Sequence, residues 1–160
     1  MKATVDSTDE RILTELLRDS DRSMTEIAEE LKMRRTTVLD RVKRMKRSGV
    51  IRGFTVIPDY PKLGLGITAF IFLTMIPVAG VSNREIARRV SNLEEVAEAH
   101  VITGDWDMVL KVRANSMQEI ASFAMDRLRA VGGVGKTMTC ISSVSVKEHP
   151  DSFMRTRPGT

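Results

Sequence analysis

The sequence is poor in the residues that build most metal, redox and covalent sites. Its single cysteine, Cys140, excludes an internal disulfide framework, and a reducing cytoplasm is the expected setting. The two histidines, His100 and His149, stand alone, with no C-x-x-C or H-x-x-x-H spacing around any of the three residues. No metal and no cofactor are therefore expected. Cys140 is expected to pack in the core beside Met138, Val144 and Val146, and His100 to lie on a strand as a surface or interface residue. There is no basic-then-apolar leader, because Asp6, Asp9 and Glu10 arrive at once. One uncharged run, Leu63–Val81, invites comparison with a membrane span. It is broken by Gly64, Gly66, Pro77 and Gly80, whereas a span needs roughly 20 strongly apolar residues. Its centre, Ile67–Ile76, reads instead as a buried strand.

Two apparent enzymatic motifs fail on context. Residues 132–137 spell Gly-Gly-Val-Gly-Lys-Thr, like the end of a phosphate-binding loop. Ala130 stands where that loop needs glycine, and here a helix precedes and a strand follows, the reverse of the required order. Asp105 and Asp107 could form an acid pair, but no base or nucleophile accompanies them. No catalytic residue is expected, and an enzyme is the least favoured class.

What the sequence does have is positive charge in one place. The chain carries +4 overall, with 42% hydrophobic and 29% charged residues, as in an ordinary folded protein. Between residues 32 and 52 stand Lys32, Arg34, Arg35, Arg41, Lys43, Arg44, Lys46, Arg47 and Arg52, against the single acid Asp40. That local +8 leaves −4 for the rest of the chain. It is the footprint of an element that binds phosphate.

The surrounding pattern predicts a helix-turn-helix over residues 6–57. Ser7 with Glu10, then Ser23 with Glu26, have capping-box spacing, and each opens a short amphipathic helix. Asp19–Ser20–Asp21 ends the first. Lys32–Met33 form a tight turn into a third helix, about Arg34 to Ser48, which stops at Gly49. Val38, Val42 and Met45 face inward on it, Thr36, Asp40, Lys43, Arg44 and Arg47 face away, and Thr37 and Arg41 lie on one flank. Arg34, Arg35, Thr36, Thr37 and Asp40 are the candidates for base readout. Lys43, Arg44, Arg47 and Arg52 are better placed for phosphate, and Arg41 on its flank completes the DNA-binding candidates. The alternative is a merely solvated basic face. Val50–Ile57 is expected as a short strand, a rudimentary wing.

Four segments follow from these signals: a DNA-binding domain over 1–57, a linker over 58–66, a second domain over 67–148 and a flexible tail over 149–160. The second domain reads strand Ile67–Ile76, helix Asn83–Asn92, strands Val96–Thr103 and Asp107–Arg113, helix Ser116–Val131 and strand Thr137–Lys147. That βαββαβ order predicts a ferredoxin-like α+β sandwich. The first strand is apolar on both faces, with Ile67, Ala69, Ile71, Leu73 and Met75 on one and Phe70, Phe72 and Ile76 on the other. Helices can cover only one, so a homodimer through the sheets is expected.

These residues resemble the Lrp/AsnC, or feast/famine, transcription regulators. The resemblance runs from about residue 6 to 148. It is carried by Asp6, Asp9, Ile12–Leu13, Leu16, Asp21–Arg22, Glu26–Ile27–Ala28, Leu31, Thr37–Val38, Arg41 and Gly49–Val50–Ile51. In the second half it is carried by Thr103–Gly104–Asp105–Trp106–Asp107 leading into Val109–Leu110–Lys111–Val112, and by Gly133–Val134 with Thr137 and Thr139. It implies a double-stranded DNA partner, a dimer that often assembles further, commonly to an octamer, and an amino acid or related metabolite as effector. Thr103, Gly104, Asp105, Trp106 and Asp107 carry over as the effector candidates, with Thr137 and Thr139 behind them. Gly104 would let a carboxylate reach backbone amides, and Asp105 or Asp107 would take an ammonium. A plain hairpin turn is the competing account. Two positions depart from the family: a glycine is common at Lys32 and a capping serine at Arg34. Both changes add charge beside the DNA, and retuned contacts or a looser turn would each explain them. An architectural protein that compacts DNA without operator specificity or effector is the alternative function.

Overall fold

The structure, a computed structural model, describes residues 5–148. The chain divides into two compact units, one ending at Ile57 and one spanning Pro58–Val146. His149 and the tail expected over 149–160 lie outside the described residues.

The first unit contains α1 (Ser7–Arg18), α2 (Met24–Glu30) and α3 (Arg35–Arg47). Apolar residues at helical spacing meet in one core of Ile12, Leu16, Ile27, Ala28, Leu31, Val38, Val42, Met45 and Ile51. The capping box of α1 is one residue earlier than the sequence spacing predicts. Asp6, not Ser7, is the cap, with Asp9, not Glu10, reaching back to it. Both boxes were chemically available. The Asp6/Asp9 choice also places the two carboxylates against arginines of α3, which the Ser7/Glu10 choice cannot do. α2 opens on the expected Ser23–Glu26 box. It closes in a Schellman motif, with Met33 N–H bonded to Ala28 C=O at 2.8 Å and Lys32 N–H to Glu29 C=O at 3.1 Å. The strand expected over Val50–Ile57 does not form. Residues 52–57 are neither helical nor paired, and among the described residues of this unit no other strand offers them a ladder.

The second unit contains β1 (Ile67–Met75), α4 (Asn83–Ser91), β2 (Val96–Val101), β3 (Met108–Ala114), α5 (Met117–Ser122), α6 (Leu128–Ala130) and β4 (Val134–Ile141). The sheet order is β2-β3-β1-β4, antiparallel throughout, as the βαββαβ reading predicts. The core lies between the sheet and its helices: Ala69, Ile71, Leu73, Leu110 and Val112 meet Ile86, Val90, Ile120, Phe123 and Leu128. The helix expected over Ser116–Val131 is interrupted by a π turn, Phe123–Arg127, between α5 and α6. β4 begins at Val134 and ends at Ile141, six residues short of the expected Lys147, since β1, its only partner, has begun at Ile67.

The phosphate-loop lookalike has a packing explanation. Gly133 has φ +100°, and a Cβ there would come within 2.9 Å of Ile86 Cγ1. A Cβ on Gly135 would sit 2.7 Å from Thr74 Oγ1. The glycines admit α4 and β1 at close range, and Lys136 lies on a strand.

Candidate nucleic-acid interface and ligand loop

α3 meets the core through Val38, Val42 and Met45 alone. Arg34, Arg35, Thr36, Asp40, Lys43, Arg44 and Arg47 are exposed, as is Arg52 beyond the helix, while Thr37 and Arg41 are half-buried. The angular reading of the sequence thus matches the exposure pattern.

The entry to α3 has two unusual features. Lys32 takes φ +54°, the only described non-glycine residue with positive φ. A side chain there costs roughly 1–2 kcal/mol. Arg34 occupies the cap position with no side-chain hydrogen bond to the helix. The glycine and the serine common in the resembled family would suit these two positions better, yet the turn itself is fully formed. Both positions put a cation at the end of the helix where base edges are usually read.

Arg41 and Arg44 are tied to α1. Arg41 Nη1 donates to Asp6 Oδ2 at 2.6 Å, Asp6 Oδ1 at 2.7 Å and Asp9 Oδ1 at 2.9 Å. Arg44 Nη2 donates to Asp9 Oδ2. Asp9 is 1% exposed, and a carboxylate so buried needs such partners. The Asp6 carboxyl is pulled down to about 2, first by the Arg41 hydrogen bond and then by the Asp9 backbone N–H. Arg41 is raised in turn, first by its side-chain bond to Asp6 and then by its bond to Asp9. Sequence reasoning placed Arg41 and Arg44 on the DNA side and did not link them to Asp6 and Asp9. The signal was there in two acids three apart and two arginines three apart, but spacing alone cannot pair segments 35 residues distant. Lys46 is a further exposed cation of α3; its Nζ lies 4.5 Å from the Phe54 ring centroid.

In the second unit, Thr103, Gly104 and Asp105 are exposed and Trp106 and Asp107 half-buried. Gly104 has φ +132°. Asp107 has a structural task. Its N–H donates to Leu73 C=O at 2.9 Å, and its Oδ2 accepts from Met75 N–H at 2.6 Å, where the β1–β4 register shifts. That leaves Asp105 as the uncommitted carboxylate of the loop. Trp106 tilts against Phe72, centroids 6.1 Å apart, and Lys136 Nζ lies 5.1 Å from the Trp106 centroid. Thr137 pairs with Leu73 and Thr139 with Ile71, so both lie on the helix-covered side, opposite to Phe72. The loop, Phe72 and Lys136 come together; the two threonines do not join them.

Cys140 is exposed, not packed in the core. It pairs with Phe70, as Met138 pairs with Phe72. All four belong to the sheet face that carries no helix of this unit. Among the described residues, no group of acids, histidines and cysteine could hold a metal, and no helix is long and apolar enough to cross a membrane.

A three-helix unit with an exposed basic third helix, joined to a ferredoxin-like unit, defines a DNA-binding transcription regulator with an attached ligand-binding domain. Comparison with known proteins agrees. A winged helix-turn-helix DNA-binding model matches residues 5–52, and the Lrp/AsnC ligand binding domain matches residues 68–152. An HTH-type transcriptional regulator of Pyrococcus horikoshii is 40% identical over 148 residues, covering 92% of this chain and 99% of that one. The leucine-responsive regulatory protein of Salmonella typhimurium is 29% identical over 153 residues, covering 96% and 93%. Among solved structures, a Neisseria meningitidis transcriptional regulator in complex with L-Met superposes with TM-score 0.86 at 23% identity, covering 92% of this chain and 96% of that one. Escherichia coli AsnC gives 0.82 at 22%, covering 92% and 97%. These two likenesses speak for the fold. The chain belongs to the Lrp/AsnC family of transcriptional regulators.

Proposed function

We propose that this regulator binds specific operators in double-stranded DNA as a homodimer or larger assembly, and that an amino acid or related small metabolite bound at the Thr103–Asp107 loop modulates it. The observation that carries the DNA half is the exposed basic face of α3, backed by its apolar stripe. Arg34, Arg35, Thr36, Thr37 and Asp40 read bases, and Lys43, Arg44, Arg47 and Arg52 hold phosphates. Arg41 supports the interface from behind.

The ligand half rests on the loop. Exposed Gly104 and Asp105 offer backbone and a carboxylate, Trp106 an apolar wall and Lys136 a cation. Together they suit a zwitterion with an apolar side chain. The Neisseria relative in complex with L-Met supports this reading. The sheet face that carries no helix supports assembly, with Phe70 39% exposed on it and Met138 41%. The reading is of a cytoplasmic regulator without enzymatic activity or resident cofactor.

A footprint on the protein's own promoter, with and without amino acids, tests both halves. Discrete, periodic protection that changes with one amino acid is expected. Uniform coverage would instead make the protein an architectural DNA compactor. Calorimetry negative for all twenty amino acids would remove the effector.

A further inference from the structure

Asp9 has almost no access to water, yet it lies under two arginines of the DNA-facing helix. The two guanidinium groups are engaged differently. Arg41 is three-quarters buried, and its Nη1 bonds three carboxylate oxygens of Asp6 and Asp9. Arg44 is half exposed. Only its Nη2 is engaged, with Asp9 Oδ2, and it stands 3.9 Å from Asp6 Oδ2. Its Nε and Nη1 bond nothing among the described residues. A guanidinium is a rigid planar fork, so one edge can rest on a carboxylate while the rest meets a phosphate.

We propose that Asp9 is a positioning residue for DNA binding: it fixes Arg44 so that the free part of its guanidinium meets a backbone phosphate, with Arg41 held inside as the other half of the clamp. This rests on the DNA-binding reading of α3. An arginine free in water loses much side-chain freedom when it binds, whereas one already held loses less. Simple charge counting predicts the opposite role. A carboxylate beside the interface repels phosphate, so its removal should tighten binding. The two accounts differ in sign.

The test is titration of the full chain against a duplex at several salt concentrations, for wild type, Asp9→Asn, Arg44→Ala and the double variant. Arg44→Ala is expected to weaken binding about fivefold at 0.15 M salt and to lower the log–log salt slope by about one, the loss of one phosphate contact. Asp9→Asn is expected to weaken binding in the wild-type background and to change nothing further in the Arg44→Ala background. Tighter or unchanged binding by Asp9→Asn overturns the proposal, as does an equal loss in both backgrounds or an unchanged slope for Arg44→Ala. Should Asp9→Asn fail to fold, the Nε–H order parameter of Arg44 in the wild type decides. A value near the roughly 0.85 of rigid backbone supports the clamp, and one below about 0.6 overturns it. Wild type that binds duplex with no salt dependence would instead sink the phosphate-binding reading of α3 itself.

Discussion

Lys32 and Arg34 show how a single residue can be wrong for its backbone and right for its surface. The left-handed turn at Lys32 favours glycine, and the cap position at Arg34 favours serine. Lys32→Gly should raise stability by about 0.5–1 kcal/mol, the relief of strain less the greater freedom of unfolded glycine. Arg34→Ser should add about 1 kcal/mol. Chemical denaturation reads both. If the cations contact DNA, each change should also weaken duplex binding, and a variant that gains stability with no loss of affinity would show the cation to be idle. Asp6 makes a second prediction at this scale. Its carboxyl titrates near 2 because of Arg41. A folded-state value below the ordinary 3.8 means that its stabilising share is complete above that value and fades as the pH falls towards 2. In a carbon-detected titration, Arg41→Ala should return the Asp6 midpoint towards 3.8, and a midpoint left near 2 would assign the shift to the Asp9 amide alone.

At the scale of elements, what could be read in the sequence depended on how local the cause was. The three helices of the first unit follow from apolar spacing and caps, and so does the sheet order once its strands are placed. Most of the differences have non-local causes. The α1 cap moved from Ser7 to Asp6 because α3 supplies arginines to it. Residues 52–57 look like a strand, but a strand exists only where a partner accepts its hydrogen bonds. The π turn at Phe123–Arg127 does leave a mark: Phe123 and Leu128 both reach the core yet stand five apart, a step that a regular α-helix would turn about 140° off one face. Thr137 and Thr139 were grouped with the ligand loop because they follow it in the family pattern. Register with Leu73 and Ile71 puts them on the far side of the sheet. The exposed side of α3 was legible residue by residue because helix periodicity decides exposure, whereas the candidate ligand loop needed the Trp106–Phe72 and Lys136 neighbours that only the fold supplies.

For the whole molecule, the sheet face opposite the helices sets the expected assembly. Phe70 and Met138 stand exposed there beside half-buried Phe72, an apolar surface that a second copy would cover. Phe70→Glu should place a charge in the middle of that face and shift the sedimenting species to monomer, with the core residues Ile71 and Leu110 untouched. A variant that still sediments with wild type would locate the contact elsewhere. Monomeric protein should also bind its operator far more weakly, because two recognition helices no longer act together.

The one thiol of the chain lies in that same face, paired across the strands with Phe70. Nature has in effect placed a single reporter group at the expected seam. Its rate of maleimide labelling should fall as protein concentration rises and stay constant in Phe70→Glu, so the assembly equilibrium can be followed on the unmodified sequence.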